Sequence, residues 1–143
     1  MTYAYRKAEE SDRDAIYHLY RLMRSFISEI WGWDEQWQRF DFSTHFDCQG
    51  ITLAYQEHEL AGYSHIENQD SQIFIRMIVV HPHHKRNGIG TNLLASVIAL
   101  AGKQSKNVGL EVFKINEVAK VFYERHGFNV ESETPSSLIM LHA

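Results

Sequence analysis

The sequence predicts a mixed α/β domain organised around a central sheet. Two observations carry that expectation. Apolar residues recur at helical spacing in some segments and in short strand-length runs in others, and the segments follow one another as β-α-α-β-β-β-α-β-α-β-β. A chain of 143 residues can close one core but not two, so a single domain over 1–143 is expected.

Taken in order, residues 3–8 alternate as a short first strand. Ser11-Asp12-Arg13-Asp14 has the composition of a helix start, with Ser11 as the cap and acids in the first turn. Ile16, Leu19, Tyr20, Met23, Ile27 and Ile30 then form one apolar face through about residue 30, and Gly32 interrupts it. A second helix is expected from Asp34 towards Phe46, with Trp37 and Phe40 facing inward. Strands follow at 51–55 and 60–67, joined by a polar turn at 56–59, and a second turn at 68–71 leads into a strand over 73–80. Arg76 excepted, that strand is apolar almost throughout, which suits burial on both faces. Beyond the loop at 81–90 come a helix over 91–101, a strand over 108–113, a helix from Asn116 to about His126, and strands over 127–131 and 137–141.

Composition narrows the functional classes. One cysteine, Cys48, excludes an internal disulfide and points to a reducing compartment. The N-terminus carries no signal-peptide pattern, and the run from Leu93 to Ala101 is about half a membrane span. A cytoplasmic protein that binds neither membrane nor nucleic acid is expected, because its basic residues are scattered. Residues 1–70 hold 6 basic and 13 acidic side chains, whereas residues 71–143 hold 8 and 5. That asymmetry suits two ligands of opposite charge, although composition alone produces such differences too.

The segment from Val79 to Leu94 is the most informative. A strand ends, Pro82 stops it, a loop bearing Gly88 and Gly90 follows, and a helix begins. Such an arrangement turns free backbone N–H groups and the positive helix end towards an anion, and glycines let phosphate oxygens approach the backbone. Lys85 and Arg86 add charge at the rim. A Gly-x-Gly before a helix is by itself more often a tight turn. The P-loop pattern is absent, and Gly88-Ile89-Gly90-Thr91-Asn92-Leu93 lacks the third glycine of a dinucleotide fingerprint.

The run Ile78-Val79-Val80-His81-Pro82, with Lys85-Arg86-Asn87-Gly88-Ile89-Gly90 and Leu93-Leu94 after it, resembles the GNAT superfamily of N-acetyltransferases. The cofactor motif of that family is Arg/Gln-x-x-Gly-x-Gly/Ala, and Lys85 departs from it at the first position. A second block, Leu110-Glu111-Val112 followed by Asn116, Ala119, Phe122-Tyr123 and Gly127-Phe128, is similar to the family's strand–helix unit. The resemblance is specific over about residues 73–130.

It implies a GNAT fold, with a mixed, mostly antiparallel sheet whose middle strands splay apart, flanked by helices. It also implies an acetyl-CoA-dependent N-acetyltransferase that moves the acetyl group directly to a primary amine. Coenzyme A then contacts Val79, Val80, Lys85, Arg86, Asn87, Gly88, Ile89, Gly90, Thr91, Asn116, Ala119 and Phe122. By the same resemblance the Ile78 backbone N–H polarises the thioester carbonyl, and Tyr123 protonates the leaving thiolate. Tyr123 and Asn116 also have structural readings, as a half-buried helix tyrosine and a helix cap.

No carboxylate occupies the strand positions where some family members carry the base. Glu29, Asp34, His65 and Glu111 are alternatives, with a preference for Glu29 and Asp34 because the family's first two helices wall the acceptor site. Trp31, Trp33, Arg76 and Glu111 are candidates for the acceptor side: the tryptophans as an aromatic wall for a cationic amine, Arg76 as the partner of a substrate carboxylate. The competing readings are ring packing for the tryptophans and an internal Glu partner for Arg76.

A metal is not expected from His81, His83 and His84, since donors beside a phosphate loop already make sense and structural zinc usually takes cysteine. The acceptor is a small-molecule or peptide amine, and a homodimer is an open expectation because family members often pair. Three rivals remain: an acyl-CoA sensor of the same fold without turnover, a nucleotide-binding protein of another fold, and an interaction protein using its tryptophans. Thermal unfolding separates the second from the rest. Saturating acetyl-CoA should raise the melting temperature, with about 2.7 kcal/mol of stabilisation at a hundred times Kd, while ATP and NAD leave it unchanged.

Overall fold

The chain is described by a computed structural model over residues 2–24, 28–29 and 32–142. Its strands are β1 (Ala4–Lys7), β2 (Ile51–Gln56), β3 (Glu59–Asn68), β4 (Gln72–Val80), β5 (Asn107–Phe113), β6 (Asn129–Glu133) and β7 (Ser137–His142). The helices are α1 (Arg13–Tyr20), α2 (Glu35–His45), α3 (Ile89–Lys103) and α4 (Glu117–Arg125), with single 3-10 turns at Glu10–Asp12, Arg21–Met23 and Pro82–His84. The strands form one sheet in the order β1-β2-β3-β4-β5-β7-β6. β4 and β5 are parallel, whereas β1–β2, β2–β3, β5–β7 and β6–β7 are antiparallel. The expected mixed α/β order is therefore present. β4 departs from the expectation of burial on both faces: Ile73, Ile75 and Val79 are buried and the residues between them only partly so.

The chain divides into two compact units. The first comprises residues 1–65 and 77–94, the second residues 66–76 and 95–143. In the first, Ile16, Tyr17, Leu19 and Tyr20 of α1 and Phe42 of α2 pack with Ile51, Leu53, Tyr63 and Val79. A smaller cluster joins Ala54, Ala61, Ile89 and Leu93, with Ile78 and Val80 against it. The two clusters take alternate residues of β4, as the two-residue strand period requires.

β3 breaks that period. Ala54 pairs with Gly62 and Tyr55 with Leu60, so Ala61 is an extra residue and the strand bulges there. The bulge lets Tyr63 and Leu60 join the first cluster while Ala61 joins the second. Gly62 sits beside it because a Cβ there would lie 2.8 Å from the Val79 carbonyl oxygen and 3.1 Å from an Ile89 methyl. In the second unit, Val108, Leu110 and Val112 of β5 are buried, and Leu110 and Val112 pair with the buried Met140 and Leu138 of β7.

A carboxylate organises the entrance to α1. Asp12 is buried and accepts from both terminal nitrogens of Arg6 at 2.8 and 3.0 Å, from the Glu9 N–H at 2.8 Å and from the Tyr55 hydroxyl at 3.3 Å. It thereby ties β1 and β2 to the first helical turn. Ser11, the cap that the sequence suggests, lies inside the 3-10 turn Glu10–Asp12, which Glu9 caps with Asp12 returning a bond to the Glu9 N–H. The residue before α1 is Asp12, whose carboxylate is committed to Arg6 rather than to the α1 amides. The Arg6 guanidinium holds the Asp12 carboxyl below its usual range.

Because the folded-state value is the lower one, the carboxylate stabilises the fold above the unfolded value near 3.8 and loses that contribution as pH falls through its own range. Asp12→Asn should cost about 2 kcal/mol at pH 7 in urea denaturation. The difference from wild type should shrink on acidification below pH 4.

Candidate functional site

The bulge places the loop that follows β4. The Ala61 carbonyl accepts from the His81 N–H at 2.7 Å, which holds the chain as it leaves the strand. Pro82 opens a single turn through His84, and the His83 N–H donates to His81 Nδ1 at 3.1 Å. The backbone then takes two left-handed residues, Arg86 at φ 67° and Gly88 at φ 81°, before α3 begins. Only Gly88 adopts such a value without strain. A turn of this kind aims successive N–H groups at one point.

α3 starts at Ile89, two residues earlier than the sequence suggests, so Gly90 and Thr91 lie in its first turn. The Asn92 N–H is bonded to the Gly88 carbonyl oxygen at 2.9 Å. The amides of Ile89, Gly90 and Thr91 precede that bond and face the helix N-terminal opening. Lys85, Arg86, Asn87, Gly88 and Thr91 are exposed, whereas Ile89 is buried and anchors the turn. The arrangement fits a diphosphate, which needs several N–H donors and nearby cations.

A polar chain not legible in the sequence keeps this loop in place. Buried His84 meets the Tyr3 hydroxyl through Nδ1 at 3.0 Å and Glu59 Oε1 through Nε2 at 2.6 Å. Asn87 Nδ2 donates to the same Tyr3 oxygen at 2.9 Å, and Asn92 Nδ2 donates to the Tyr5 hydroxyl at 3.0 Å. A Tyr3 hydroxyl that accepts from Asn87 donates to His84, and His84 in turn donates to Glu59. The His84 bond pulls the Glu59 carboxyl below its ordinary value, while burial and then His83 lower that of His81. Tyr3 just before β1, Tyr5 within it and Glu59 of β3 thus clamp both ends of the Gly88 turn.

In the second unit, Asn116 caps α4, its side-chain oxygen accepting from the Ala119 N–H at 3.2 Å. Tyr123 is buried, with ring centroids 5.2 Å from Phe122 and 5.5 Å from Phe128, and burial alone pushes its phenol well above the ordinary tyrosine value. Ala119 and Phe122 are half-buried on the same helix, and Glu111 is exposed on β5.

The acceptor-side candidates scatter. Trp31 lies outside the described residues, and Glu29 is exposed. Asp34 is the cap of α2, accepting from the Trp37 N–H at 3.1 Å. Trp33 packs against the first cluster, 6.2 Å from the Tyr20 ring, and donates to Glu35 at 3.5 Å. His65 is buried, and Arg76 pairs with Glu67 at 3.4 Å.

Trp37 and Phe40, expected to face inward, are 57% and 70% exposed. α2 buries Gln38 and Phe42 instead, because Gln38 Oε1 accepts from the Tyr20 hydroxyl at 2.7 Å and makes a polar position the inner one. The sequence also conceals an ionic cluster on α1 and α2. Tyr17 donates to Glu35, Arg21 meets Glu35 at 3.1 Å, and Arg39 lies 4.5 Å over the Tyr17 ring. Burial, with Glu35 next, pushes Tyr17 up to about 12. Tyr17, Arg21 and Arg39 line an open cavity of about 260 Å³ together with Asp14 and His18.

A mixed sheet in which a strand passes through a left-handed turn into a helix defines the class, an α/β fold with a glycine-bearing strand–loop–helix unit. The family model described as the acetyltransferase (GNAT) family matches residues 13–128, and the chain belongs to that family. Its fold is similar to that of the PaiA N-acetyltransferase of Thermoplasma acidophilum, crystallised in complex with coenzyme A (TM-score 0.79, 17% identity, covering 99% of both chains). It is likewise similar to the ribosomal-protein-S18-alanine N-acetyltransferase of Escherichia coli (TM-score 0.76, 22% identity, 99% of this chain and 93% of that one). A GNAT-family acetyltransferase of Staphylococcus aureus matches with a TM-score of 0.80 at 15% identity, over 99% and 98% of the chains. Among the described residues no helix is long and apolar enough to cross a membrane.

Replacing the cap of the helix that carries Tyr123 tests its local role. Asn116→Ala should lower stability by about 1 kcal/mol, read as a shifted urea midpoint with an unchanged slope.

Proposed function

We propose that the protein is an acetyl-CoA-dependent N-acetyltransferase acting on a primary amine, with both compact units working as one domain over 1–143. The observation that carries this reading is the left-handed turn at Arg86 and Gly88 feeding the first amides of α3, in a chain of the GNAT family. In this reading the amides from Arg86 to Thr91 hold the diphosphate, with Lys85 and Arg86 supplying charge. The Val79 and Val80 backbone and Asn116, Ala119 and Phe122 hold the rest of the cofactor. When bound, acetyl-CoA supplies the acetyl group as a thioester.

The amine nitrogen would form the new C–N bond at the thioester carbonyl and the C–S bond would then break. The Ile78 N–H would donate to the carbonyl oxygen as it gains negative charge, a contribution of about 3 kcal/mol for one such donor. Tyr123 gives its proton to the departing sulfur. The phenol is protonated at neutral pH as any tyrosine is, so the proton is present when the thiolate develops, and burial raises its pKa further. The amine's proton goes to Glu29 or Asp34, directly or through water. Trp31, Trp33, Arg76 and Glu111 belong to the acceptor side. Of the four, Arg76 already has Glu67 as a partner, which removes the reason to expect a carboxylate on the acceptor. The acidic first half of the chain favours a cationic acceptor instead.

Thiol release from acetyl-CoA, measured across polyamines, aminoglycosides and peptide N-termini, tests the reading. Turnover of one acceptor is expected, and Tyr123→Phe should lower kcat by about 100-fold while coenzyme A affinity stays within a few-fold. Unchanged kcat in that variant would remove Tyr123 from the acid role. Cofactor binding without turnover of any amine would favour the sensor reading.

A further inference from the structure

We propose that Glu59, His81 and His83 form a binding site for a divalent transition-metal ion of the zinc type. One imidazole nitrogen from each histidine and one Glu59 oxygen all lie within 4.8 Å of one another. Two nitrogens and one carboxylate oxygen are the donors that zinc, nickel and copper select, whereas magnesium and calcium prefer oxygen alone. Around a tetrahedral zinc with bonds of about 2.0–2.1 Å, donors sit about 3.4 Å apart, so the three groups need only draw together. The means are at hand. Glu59 is the first residue of β3, His83 lies in a single turn, and both are exposed.

Glu59 is not a loose surface acid. His84 Nε2 holds one of its oxygens at 2.6 Å and is itself held by Tyr3, the outer-shell support that orients metal-binding carboxylates. Three protein ligands leave a further position for water. Sequence spacing showed only the histidines and no metal was expected. The third ligand comes from the β2–β3 hairpin, which the fold brings against the end of β4. A bound ion would fasten that hairpin to the start of the Gly88 loop.

The test uses the full chain after EDTA treatment and dialysis, titrated with Zn²⁺ against a chromophoric chelator. One ion per chain should bind at micromolar concentration or tighter, Ni²⁺ should compete, Mg²⁺ should not, and Zn²⁺ should raise the unfolding temperature. His83→Ala removes an exposed side chain, and Glu59→Gln keeps an acceptor for His84. Each should weaken Zn²⁺ binding at least tenfold, while His45→Ala leaves it unchanged. Absence of saturable binding below about 100 μM, or wild-type affinity in His83→Ala, would overturn the site.

Discussion

A helix end attracts an anion only while the chain leading into it is held open, and here a buried histidine holds it. His84 has no water to turn to, so both ring nitrogens must find partners within the protein, and it finds them in Tyr3 and Glu59. Those bonds commit β1, the β2–β3 hairpin and the loop to one arrangement. Asn87 joins through the same tyrosine, which positions the turn at Gly88 without placing any bulk in it. The backbone of the Gly88 turn is therefore held by side-chain hydrogen bonds from outside the loop.

The bulge at Ala61 serves the same end. An unbroken β3 would alternate strictly, and Tyr63 and Ala61 would share a face. With one residue inserted, Tyr63 reaches the α1–α2 cluster while Ala61 and Gly62 admit α3 closely on the other side. The Ala61 carbonyl, freed from the β2 ladder, accepts from His81 and marks where β4 becomes loop. The Asp12 network does comparable work at the other end of the unit, where a single carboxylate satisfies a helix start, an arginine and a tyrosine.

Much of this was legible. The element order, a helix following the Gly88 loop, the cap at Asn116 and the family resemblance over residues 73–130 all rest on local signals, and family and fold bear that resemblance out. Errors fell where distant partners decide. Trp37 and Phe40 are the more apolar choices for the inner face of α2, yet Gln38 is inside because Tyr20 offers it a hydrogen bond. Ser11 is a common cap residue, but a 3-10 turn capped by Glu9 takes it in and α1 begins after Asp12, whose carboxylate Arg6 draws inward. Arg76 carried two readings, a substrate carboxylate or an internal Glu, and Glu67 beside it supplies the second.

Local periodicity and turn chemistry determined the segments, and the two motif blocks over residues 73–130 determined the family. Such features depend on residues a few positions apart, so the sequence contains them whole. Tertiary structure alone decided which polar groups meet: His84 with Tyr3 and Glu59, Asp12 with Arg6 and Tyr55, Tyr17 with Glu35. Those pairings follow from strand order, the bulge at Ala61 and the packing of α1 on α2, and a hydrogen bond depends on ångströms in space rather than on separation along the chain.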